Sequence, residues 1–254
     1  MNKLFWIAAV GPGLLCAQTP DFSGVWKANA EKSKGLPPGG SYLAIIEQKD
    51  GRLTQTNAVT TQRGEQRSMY RWDLSGKEAR GTVGGLPMMS TAKMDGGALM
   101  VSGRQPNNKA MTAKYSLSAD GNTLTLDTAM TGGQRDQMQT LVLEKQPDSA
   151  GEALRKPEGT LADTGRYKNL KLIGGAPASS LGDTMNAWAF ALGKDCSFCH
   201  VQGNFAADDK PEKATARKMV EMAMAINKNH FGGNQAVRCF TCHQGNAHPP
   251  AAKF

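Results

Sequence analysis

The sequence predicts two domains of different fold class, an N-terminal antiparallel β domain and a C-terminal α-helical domain. Up to residue 147, short stretches of alternating apolar and polar residues are separated by turns rich in glycine and aspartate. After residue 166, apolar residues recur at the spacing of helix faces. The same C-terminal part contains two copies of the pattern Cys-x-x-Cys-His. We therefore expect residues 20–147 and 166–254 to fold as separate domains, joined by residues 148–165.

The β domain is predicted from a series of alternating segments. Turns such as Lys49-Asp50-Gly51 and Thr131-Gly132-Gly133 lie between the segments, and such turns join neighbouring antiparallel strands. About eight strands in a domain of this length predict an up-and-down meander that forms a small barrel or a curved sandwich. The expected strands cover residues 41–48, 52–61, 66–74, 88–94, 98–104, 111–117, 123–130 and 137–145.

The opening of this domain, Asp21–Lys27, contains the pattern Gly-x-Trp at Gly24-Val25-Trp26. The pattern resembles the start of lipocalin-like barrels, in which the tryptophan packs across the closed end of the barrel. The resemblance implies either an internal cavity for a small apolar ligand or an interior filled by the protein's own side chains. We favour the filled interior, because barrels of this strand number are often just wide enough for their own side chains.

Residues 148–165 are polar, with proline and glycine at intervals, and predict a linker with a helical turn near 152–156. Beyond the linker, Ser179 or Ser180 is the expected N-cap of a helix, with Asp183 three residues after Ser180 in the manner of a capping box. Gly193 is the expected end of this helix.

A second helix is predicted before the second cysteine motif. Asp208 or Asp209 is its expected N-cap, and Pro211 lies in its first turn, where proline is well tolerated. The segment 227–233, which contains two glycines, is expected to end it.

The two Cys-x-x-Cys-His motifs carry the strongest functional signal in the chain. In this pattern, the two thiols add across the vinyl groups of a haem, and the adjacent histidine ligates the iron. The chain has five cysteines and four histidines. The motifs consist of Cys196, Cys199 and His200, and of Cys239, Cys242 and His243. We predict that the protein carries two covalently attached haems c.

Other chemistry could use the same four cysteines. Two Cys-x-x-Cys pairs can hold one zinc ion, or each pair can form a disulfide. Neither arrangement requires a histidine directly after each pair, and short-loop disulfides stabilise a protein little. A thioredoxin-like redox pair would need a βαβ context, which the sequence does not show near either motif. The haem interpretation explains all six residues.

Each iron needs a second axial ligand. Apart from the motifs, the chain has only His230 and His248 as histidines, so methionine is the expected alternative. Met185 lies on the predicted helix directly before the first motif, and Met219 lies on the helix before the second. We predict these two methionines as ligands. Met222, one helical turn after Met219, and His230 are the rivals for the second iron.

Residues 167–250 resemble the cytochrome c subunit of photosynthetic reaction centres, and correspond to one two-haem half of that four-haem protein. The resemblance implies a helix with an axial methionine ahead of each motif, in agreement with Met185 and Met219. It is carried by Tyr167-Lys168-Asn169-Leu170, Met185, Leu192-Gly193, Cys196–Val201, Asp208–Pro211, Ala216–Met219, Ile226-Asn227 and Cys239–Gly245.

This chain also departs from that family. It has one pair of haem motifs where the family has two, and a β domain stands in place of the other half. A role as electron donor to a photosynthetic special pair is therefore not implied. The resemblance implies a pair of haems suited to electron transfer.

The first 17 residues predict export. A positive start at Lys3 is followed by a short apolar stretch and a small residue, Ala17, before the expected cleavage site. The stretch is too short for a membrane span. We expect a periplasmic protein, with cleavage before Cys16 and lipid attachment to its thiol as the alternative.

The charge pattern argues against a nucleic acid partner. The formal net charge is +8, with 16 Lys/Arg against 12 Asp/Glu over residues 20–147 and 11 against 6 over residues 166–254. The chain has no arginine-rich run or basic stripe, and the propionates of two haems would nearly neutralise the second part. A mildly positive face toward acidic redox partners is expected instead.

These observations predict an exported dihaem c-type cytochrome, an electron carrier rather than an enzyme, with redox proteins or a membrane-associated electron-transfer complex as partners. Two alternatives stay open. A haem enzyme of peroxidase or reductase type needs one open iron, which the second haem would offer if Met219 does not ligate it. A ligand-binding or redox-sensing module would use the β-barrel to hold a small apolar ligand.

Overall fold

The computed structural model describes residues 19–62, 64–106, 108–133 and 136–250. The predicted signal peptide, residues 1–17 with Cys16, lies outside this described part of the chain. Within the described part, a β domain precedes a helical domain, so the predicted fold class is confirmed.

One antiparallel sheet of ten strands forms the N-terminal domain. Consecutive strands pair throughout except for β4 and β5, and β1 also pairs with β10, which joins the two ends of the domain. The edges β4 and β5 lie beside each other, so the sheet is a nearly closed barrel. The strands are β1 (Gly24–Ala28), β2 (Ser41–Lys49), β3 (Arg52–Thr61), β4 (Gly64–Asp73), β5 (Ala79–Val83), β6 (Leu86–Asp95), β7 (Ala98–Arg104), β8 (Ala110–Leu117), β9 (Thr123–Thr131) and β10 (Gln137–Gln146).

The eight predicted segments correspond to β2–β4 and β6–β10, with ends that agree within two residues. The Gly-x-Trp segment supplies β1. Strand β5 was not predicted, because its alternating positions hold only Ala79, Gly81 and Val83, which offer too little apolar surface to mark a strand. Ten strands therefore form the barrel, rather than about eight.

Large apolar side chains from all round the sheet fill the barrel interior. Trp26 is fully buried, and its Nε1 donates a hydrogen bond to the Phe22 carbonyl at 2.9 Å. The Phe22 ring meets the Tyr115 ring edge-on, with the ring centroids 6.0 Å apart. Burial of this apolar surface is the main source of the barrel's stability. Other fully buried side chains in this core are Ile46, Leu53, Met88, Leu99, Leu124, Leu141 and Leu143.

A chain of four buried polar side chains crosses the interior. Trp72 Nε1 donates to the Tyr115 hydroxyl at 3.1 Å, and that hydroxyl donates to Gln55 Oε1 at 2.8 Å. Gln55 Nε2 in turn donates to the Tyr42 hydroxyl at 2.8 Å. Burial raises the pKa of Tyr42 and of Tyr115 well above the ordinary value, so both hydroxyls stay protonated. The chain links β2, β3, β4 and β8 across the interior.

The segment that follows β10 is packed against the barrel. It contains the short helix α1 (Glu152–Arg155), where a helical turn was expected. The Arg67 guanidinium on β4 donates to three carbonyls at the end of this helix, those of Ala153, Leu154 and Lys156, at 3.2, 3.4 and 2.8 Å. These bonds fix the start of the predicted linker to the outer face of β4.

Three further helices make up most of the regular structure beyond residue 166: α2 (Leu181–Leu192), α3 (Pro211–His230) and α4 (Cys239–His243). Gly193 ends α2 with a left-handed backbone, φ +60°, as predicted. Pro211 opens α3, also as predicted. Within the described residues, no helix has both the length and the hydropathy that a membrane span requires.

Ser180 stands at the N-cap position of α2, as predicted, but without the capping hydrogen bond, whereas the predicted N-cap of α3 is wrong. Ser180 has helical backbone angles, and its hydroxyl donates to the Pro177 carbonyl at 2.8 Å instead of accepting from the helix. Lys210 stands at the N-cap position of α3, where no side chain caps the helix. The two acidic residues are used elsewhere: Asp208 binds cations, and Asp183 lies against the barrel.

The helical domain buries few apolar side chains. Among the described residues 166–250, only Ala191 and Val220 are apolar and at most 9% exposed. Apolar side chains in the second motif, shortly after the first motif and on α3 are 40–61% exposed instead, namely Phe240, Phe205, Met219 and Met222.

We expect Tyr115→Phe to destabilise the barrel more than Tyr42→Phe does. Loss of the Tyr115 hydroxyl leaves two buried groups, on Trp72 and Gln55, without their partner, at a cost of about 1–3 kcal/mol for each. Loss of the Tyr42 hydroxyl leaves only the Gln55 amide. Urea unfolding followed by far-ultraviolet circular dichroism measures both losses. Equal losses in the two variants would contradict the proposed chain of bonds.

Candidate functional site

The first Cys-x-x-Cys-His motif is a tight turn directly after α2. Cys196–Phe198 form one turn of 3-10 helix, which the Asp195 carboxylate caps by accepting from Ser197 Oγ at 2.5 Å and Ser197 N at 2.9 Å. These bonds hold the pKa of Asp195 below its usual range, so the cap is charged at neutral pH. The His200 backbone N–H donates to the Cys196 carbonyl at 3.0 Å. The sequence thus holds the cysteines and the histidine in one compact loop.

The second motif is the short helix α4, which is tied to the end of α3. The Asn227 side chain, only 7% exposed, donates to the Val237 carbonyl at 2.8 Å and accepts from the Val237 N–H at 2.9 Å. Thr241 Oγ1 accepts from the Arg238 N–H at 3.0 Å, which closes the first turn of α4. The position of the second motif therefore depends on α3.

Both motif histidines have the same side-chain hydrogen bond. His200 Nδ1 lies 2.9 Å from the Phe205 carbonyl, and His243 Nδ1 lies 2.9 Å from the Asn246 carbonyl. A carbonyl oxygen can only accept, so each Nδ1 must donate and carries the proton. Each Nε2 is then left with a free lone pair, the tautomer that a metal-ligating histidine requires. The residues present therefore fit the binding of iron at both motifs.

A buried lysine shares the carbonyl that orients His200. Lys213, on the first turn of α3, is 9% exposed, and its Nζ donates to the Phe205 carbonyl at 2.9 Å and to the Ala207 carbonyl at 2.7 Å. The loop after the first motif is thereby held against α3. Sequence reasoning missed this role, because lysine near a helix start is usually solvent-exposed.

Asp208 is the centre of a cation cluster beside this loop. Its carboxylate oxygens lie 2.8 Å from Arg217 Nη1, 3.1 Å from Lys171 Nζ and 3.4 Å from Lys213 Nζ. Asn169 Nδ2 also donates to Asp208 at 2.8 Å. Although desolvation acts in the opposite direction, these donors hold the pKa of Asp208 well below its usual range. The cluster joins the start of the helical domain to α3.

The four thiols lie in two separate places. Burial raises the pKa of the Cys199 and Cys239 thiols. A four-thiolate zinc centre would need the pairs to converge. Among the described residues, no group of three or more His, Cys, Asp and Glu side chains is placed to hold a metal ion.

The predicted methionine ligands lie on the helices that precede the motifs. Met185 is half-buried on α2, which leads into the first motif through Gly193. Met219 and Met222 are one turn apart on α3, 40% and 49% exposed, and His230 is the last residue of that helix. The assignment of Met185 and Met219 stays a prediction, with Met222 and His230 as rivals.

The two motif regions pack directly on each other through α2 and α4. The rings of Phe190 and Phe240 are stacked, with centroids 5.2 Å apart and planes 10° apart. The Gly245 N–H donates to the Ala191 carbonyl at 2.9 Å, which joins the turn after α4 to the end of α2. Sequence reasoning missed this contact, although Phe240, an aromatic residue inside the second motif, was a visible signal.

We expect Gly193→Ala to lower the melting temperature of the holoprotein more than Gly203→Ala. Both glycines have left-handed backbones, φ +60° and +81°, so both variants suffer about 1–2 kcal/mol of backbone strain. A Cβ on Gly193 would also lie 2.0 Å from the Gly245 carbonyl oxygen, whereas one on Gly203 would meet no atom within 4 Å. Equal melting temperatures of the two variants, measured by circular dichroism, would show that the α2–α4 contact can accommodate the added methyl group.

We expect Asp208→Asn to remove part of the acid sensitivity of the helical domain. Because the pKa of Asp208 is lowered by folding, its charge stabilises the fold above its usual pKa of 3.8, and this contribution is lost as the pH falls toward the folded value. The variant should melt lower than wild type at pH 7, and the difference should shrink below pH 3.8. Asp209→Asn is the matched control, since Asp209 makes none of these bonds. A constant difference across the pH range would contradict the assignment.

Comparison with known proteins places the helical domain in a family. The sequence model of the family described as "Photosynthetic reaction centre cytochrome C subunit" matches residues 120–253, just over half of the 254 residues. The match begins in the turn before β9 and covers α1–α4 with both motifs.

Individual relatives match part of this chain. The photosynthetic reaction center cytochrome c subunit of Thermochromatium tepidum is 35% identical over 92 residues, which is 34% of this chain and 22% of that protein. The corresponding subunit of Rubrivivax gelatinosus is 33% identical over 94 residues, 35% of this chain and 25% of that protein. Cytochrome c-554 of Chloroflexus aurantiacus is 39% identical over 59 residues, 21% of this chain and 14% of that protein. The chain thus spans a quarter or less of the length of these relatives.

The barrel has weak likenesses among solved structures. A REP1-NXSQ fatty acid transporter is 13% identical, with a TM-score of 0.38, over 49% of this chain and 96% of that chain. Zebrafish ileal bile acid-binding protein with cholic acid is 20% identical, with a TM-score of 0.37, over 49% of this chain and 98% of that chain. At this level of similarity, neither protein carries an inference about a ligand of this barrel.

The family match and the two motifs coincide. The matched region contains both histidines whose Nδ1 atoms donate to carbonyls, and both cysteine pairs. Covalently bound haem c is what this family implies. The chain belongs to the photosynthetic reaction centre cytochrome c subunit family, a family of electron carriers rather than enzymes.

Proposed function

We propose that this protein is an exported dihaem c-type cytochrome that carries electrons between redox partners. The observation that carries the proposal is the pair of Cys-x-x-Cys-His motifs, each with a histidine whose Nδ1 donates to a backbone carbonyl. That geometry presents Nε2 for an iron bond at both places.

The residues divide the work between attachment and ligation. Cys196, Cys199, Cys239 and Cys242 would form the thioether bonds, and His200 and His243 would ligate the irons. Met185 and Met219 would complete the coordination, which gives a relatively high reduction potential. Bound haem supplies a reversible one-electron change at iron, and the chain sets its orientation and surroundings.

The exposed apolar side chains near the motifs support two haems rather than one. Phe205 packs against the His200 ring, with centroids 5.3 Å apart, and Phe240 lies inside the second motif. Met219 and Met222 face outward from α3 with much of their surface uncovered by protein. A porphyrin at each motif would bury apolar surface of this kind, which is favourable.

The proposed partners are redox proteins, including those of a membrane-associated electron-transfer complex, as the names of the relatives suggest. Export of the protein to the periplasm through residues 1–17 is part of the proposal, with lipid attachment at Cys16 as its alternative. An acidic partner surface would complement the net positive charge of residues 166–254.

One observation favours a second candidate, a haem enzyme with one open iron. Met219 and Met222 are both 40% or more exposed on α3, so neither is fixed in place by surrounding protein. If neither ligates, the second iron would keep an open position, as peroxidases and reductases require.

The absorption spectrum of the purified holoprotein tests the proposal. We expect a pyridine-haem assay to count two haems per chain, and the oxidised protein to show the weak far-red band of methionine–iron ligation. A count of one would overturn the dihaem proposal. A high-spin spectrum that shifts on addition of carbon monoxide or cyanide would favour the enzyme.

Single substitutions identify the ligands. We expect Met185→Ala and Met219→Ala each to remove about half of the far-red band, because each iron would lose its methionine. Met222→Ala and His230→Ala are the matched controls on α3 and should leave the band intact. Loss of half the band in Met222→Ala, with the band unchanged in Met219→Ala, would show that the ligand is Met222, one helical turn after Met219.

A further inference from the structure

The N-terminal end of α2 rests on the barrel. The two-residue turn between β5 and β6, Gly84-Gly85, touches the helix backbone at Asp183. Gly85 has a left-handed backbone, φ +78°, and a Cβ there would lie 2.1 Å from the Asp183 carbonyl oxygen and 2.9 Å from the Asp183 Cα. Only glycine allows this backbone-to-backbone approach.

Side chains extend the contact on both sides of the turn. Asn186 Nδ2 lies 3.5 Å from the Gly84 carbonyl, a long hydrogen bond. Burial raises the pKa of the Asp183 carboxyl, and the Asp183 charge adds to burial in raising the pKa of Tyr70 on β4. In position, it is the backbone of Asp183 that lies against the turn between β5 and β6.

Two other contacts join residues close to the helical domain to the linker and to the barrel. Glu158 accepts from Ser179 N at 2.8 Å and from Ser179 Oγ at 2.7 Å, directly before α2. The Arg166 guanidinium covers Gly64, at the start of β4, so closely that a Cβ on Gly64 would collide with it. Together with the packing of α2 on β6, these contacts fix α2 relative to the barrel.

The face of α2 that meets the barrel is not the face that carries the predicted ligand. Successive residues of a helix are about 100° apart, so Met185 lies about 200° around α2 from Asp183. Asn186, which also contacts the turn, lies about 100° from Met185, so Met185 is not on the side of α2 that meets the turn. At its far end, the same helix packs on α4 through Phe190. A displacement at the first turn of this twelve-residue helix would therefore move the ligand.

We propose that the barrel is a positioning element of the first haem site, in which the Gly84-Gly85 turn sets the place of α2 and so the reach of Met185 toward the iron held by His200. The inference rests on the proposed function, because it takes Met185 as an axial ligand. Gly85 is a positioning residue, since it acts through α2 and not on the haem.

The experiment compares Gly85→Ala with Gly97→Ala in the full-length holoprotein. Gly97 is the second residue of the two-residue turn between β6 and β7, as Gly85 is between β5 and β6. Its φ is +81°, close to the +78° of Gly85, but a Cβ on Gly97 would meet no atom within 4 Å. The two variants therefore carry the same backbone strain, and only one of them pushes on α2.

The readouts are haem content, the far-red band and the reduction potentials of the two haems. We expect Gly85→Ala to keep two haems but lose up to half of the far-red band, with a fall in the potential of one haem, because methionine ligation raises the potential. Gly97→Ala should match wild type. A wild-type band and wild-type potentials in Gly85→Ala would overturn the inference.

A second variant covers the case in which Gly85→Ala does not accumulate. Asn186→Ala removes a side chain on the barrel face of α2, and we expect a smaller shift of the same haem in the same direction; unchanged potentials would overturn the inference. A wild-type protein without the far-red band would refute methionine ligation, and a Met185→Ala variant that keeps the full band would refute Met185 as a ligand. Failure of the proposed function is thereby distinguished from failure of the inference.

Discussion

The helical domain has too few buried apolar side chains to fold as an ordinary globular unit, and the rest of its organisation follows from that shortage. Ala191 and Val220 alone cannot offset the conformational entropy lost when residues 166–250 become ordered. Polar side chains supply part of the stability instead. Asp208 forms ion pairs with three cations, and Asn227 hydrogen-bonds to the segment that leads to α4. The haem c that the family implies would add apolar surface at the motifs, and covalent attachment would keep that surface in place. In such a domain the cofactor is part of the core.

The barrel is organised in the opposite way. Its strands are joined in one ladder from β4 round to β5, its interior is filled, and four of its buried polar side chains are linked by hydrogen bonds through Tyr115 and Gln55. A rigid, self-sufficient domain next to one with little core of its own gives the latter a fixed surface to pack on. Helix α2 connects the two, because one end meets the barrel and the other meets α4.

The elements that were predicted correctly are those set by short-range sequence patterns. Period-two alternation predicted eight of the ten strands, and glycine after an apolar helix face predicted the end of α2 at Gly193. The predicted N-cap at Asp208 failed because Asp208 has tertiary partners, which outweigh a cap of about 1 kcal/mol. The carbonyl shared by Lys213 and His200, and the stacking of Phe190 on Phe240, join residues whose proximity exists only in the folded chain. The motifs themselves were visible because attachment chemistry demands fixed spacing.

The pairing of β1 with β10 determines when the barrel can close. Val25 lies opposite Gln146, so the closing ladder joins the two ends of the barrel domain and can form only after the whole domain has left the ribosome. The hairpin of β5 and β6, by contrast, is local and can form early. Residues of α2 are synthesised after both. The ladder that closes the barrel contains no residue of α2, so the surface on which α2 packs is specified without that helix.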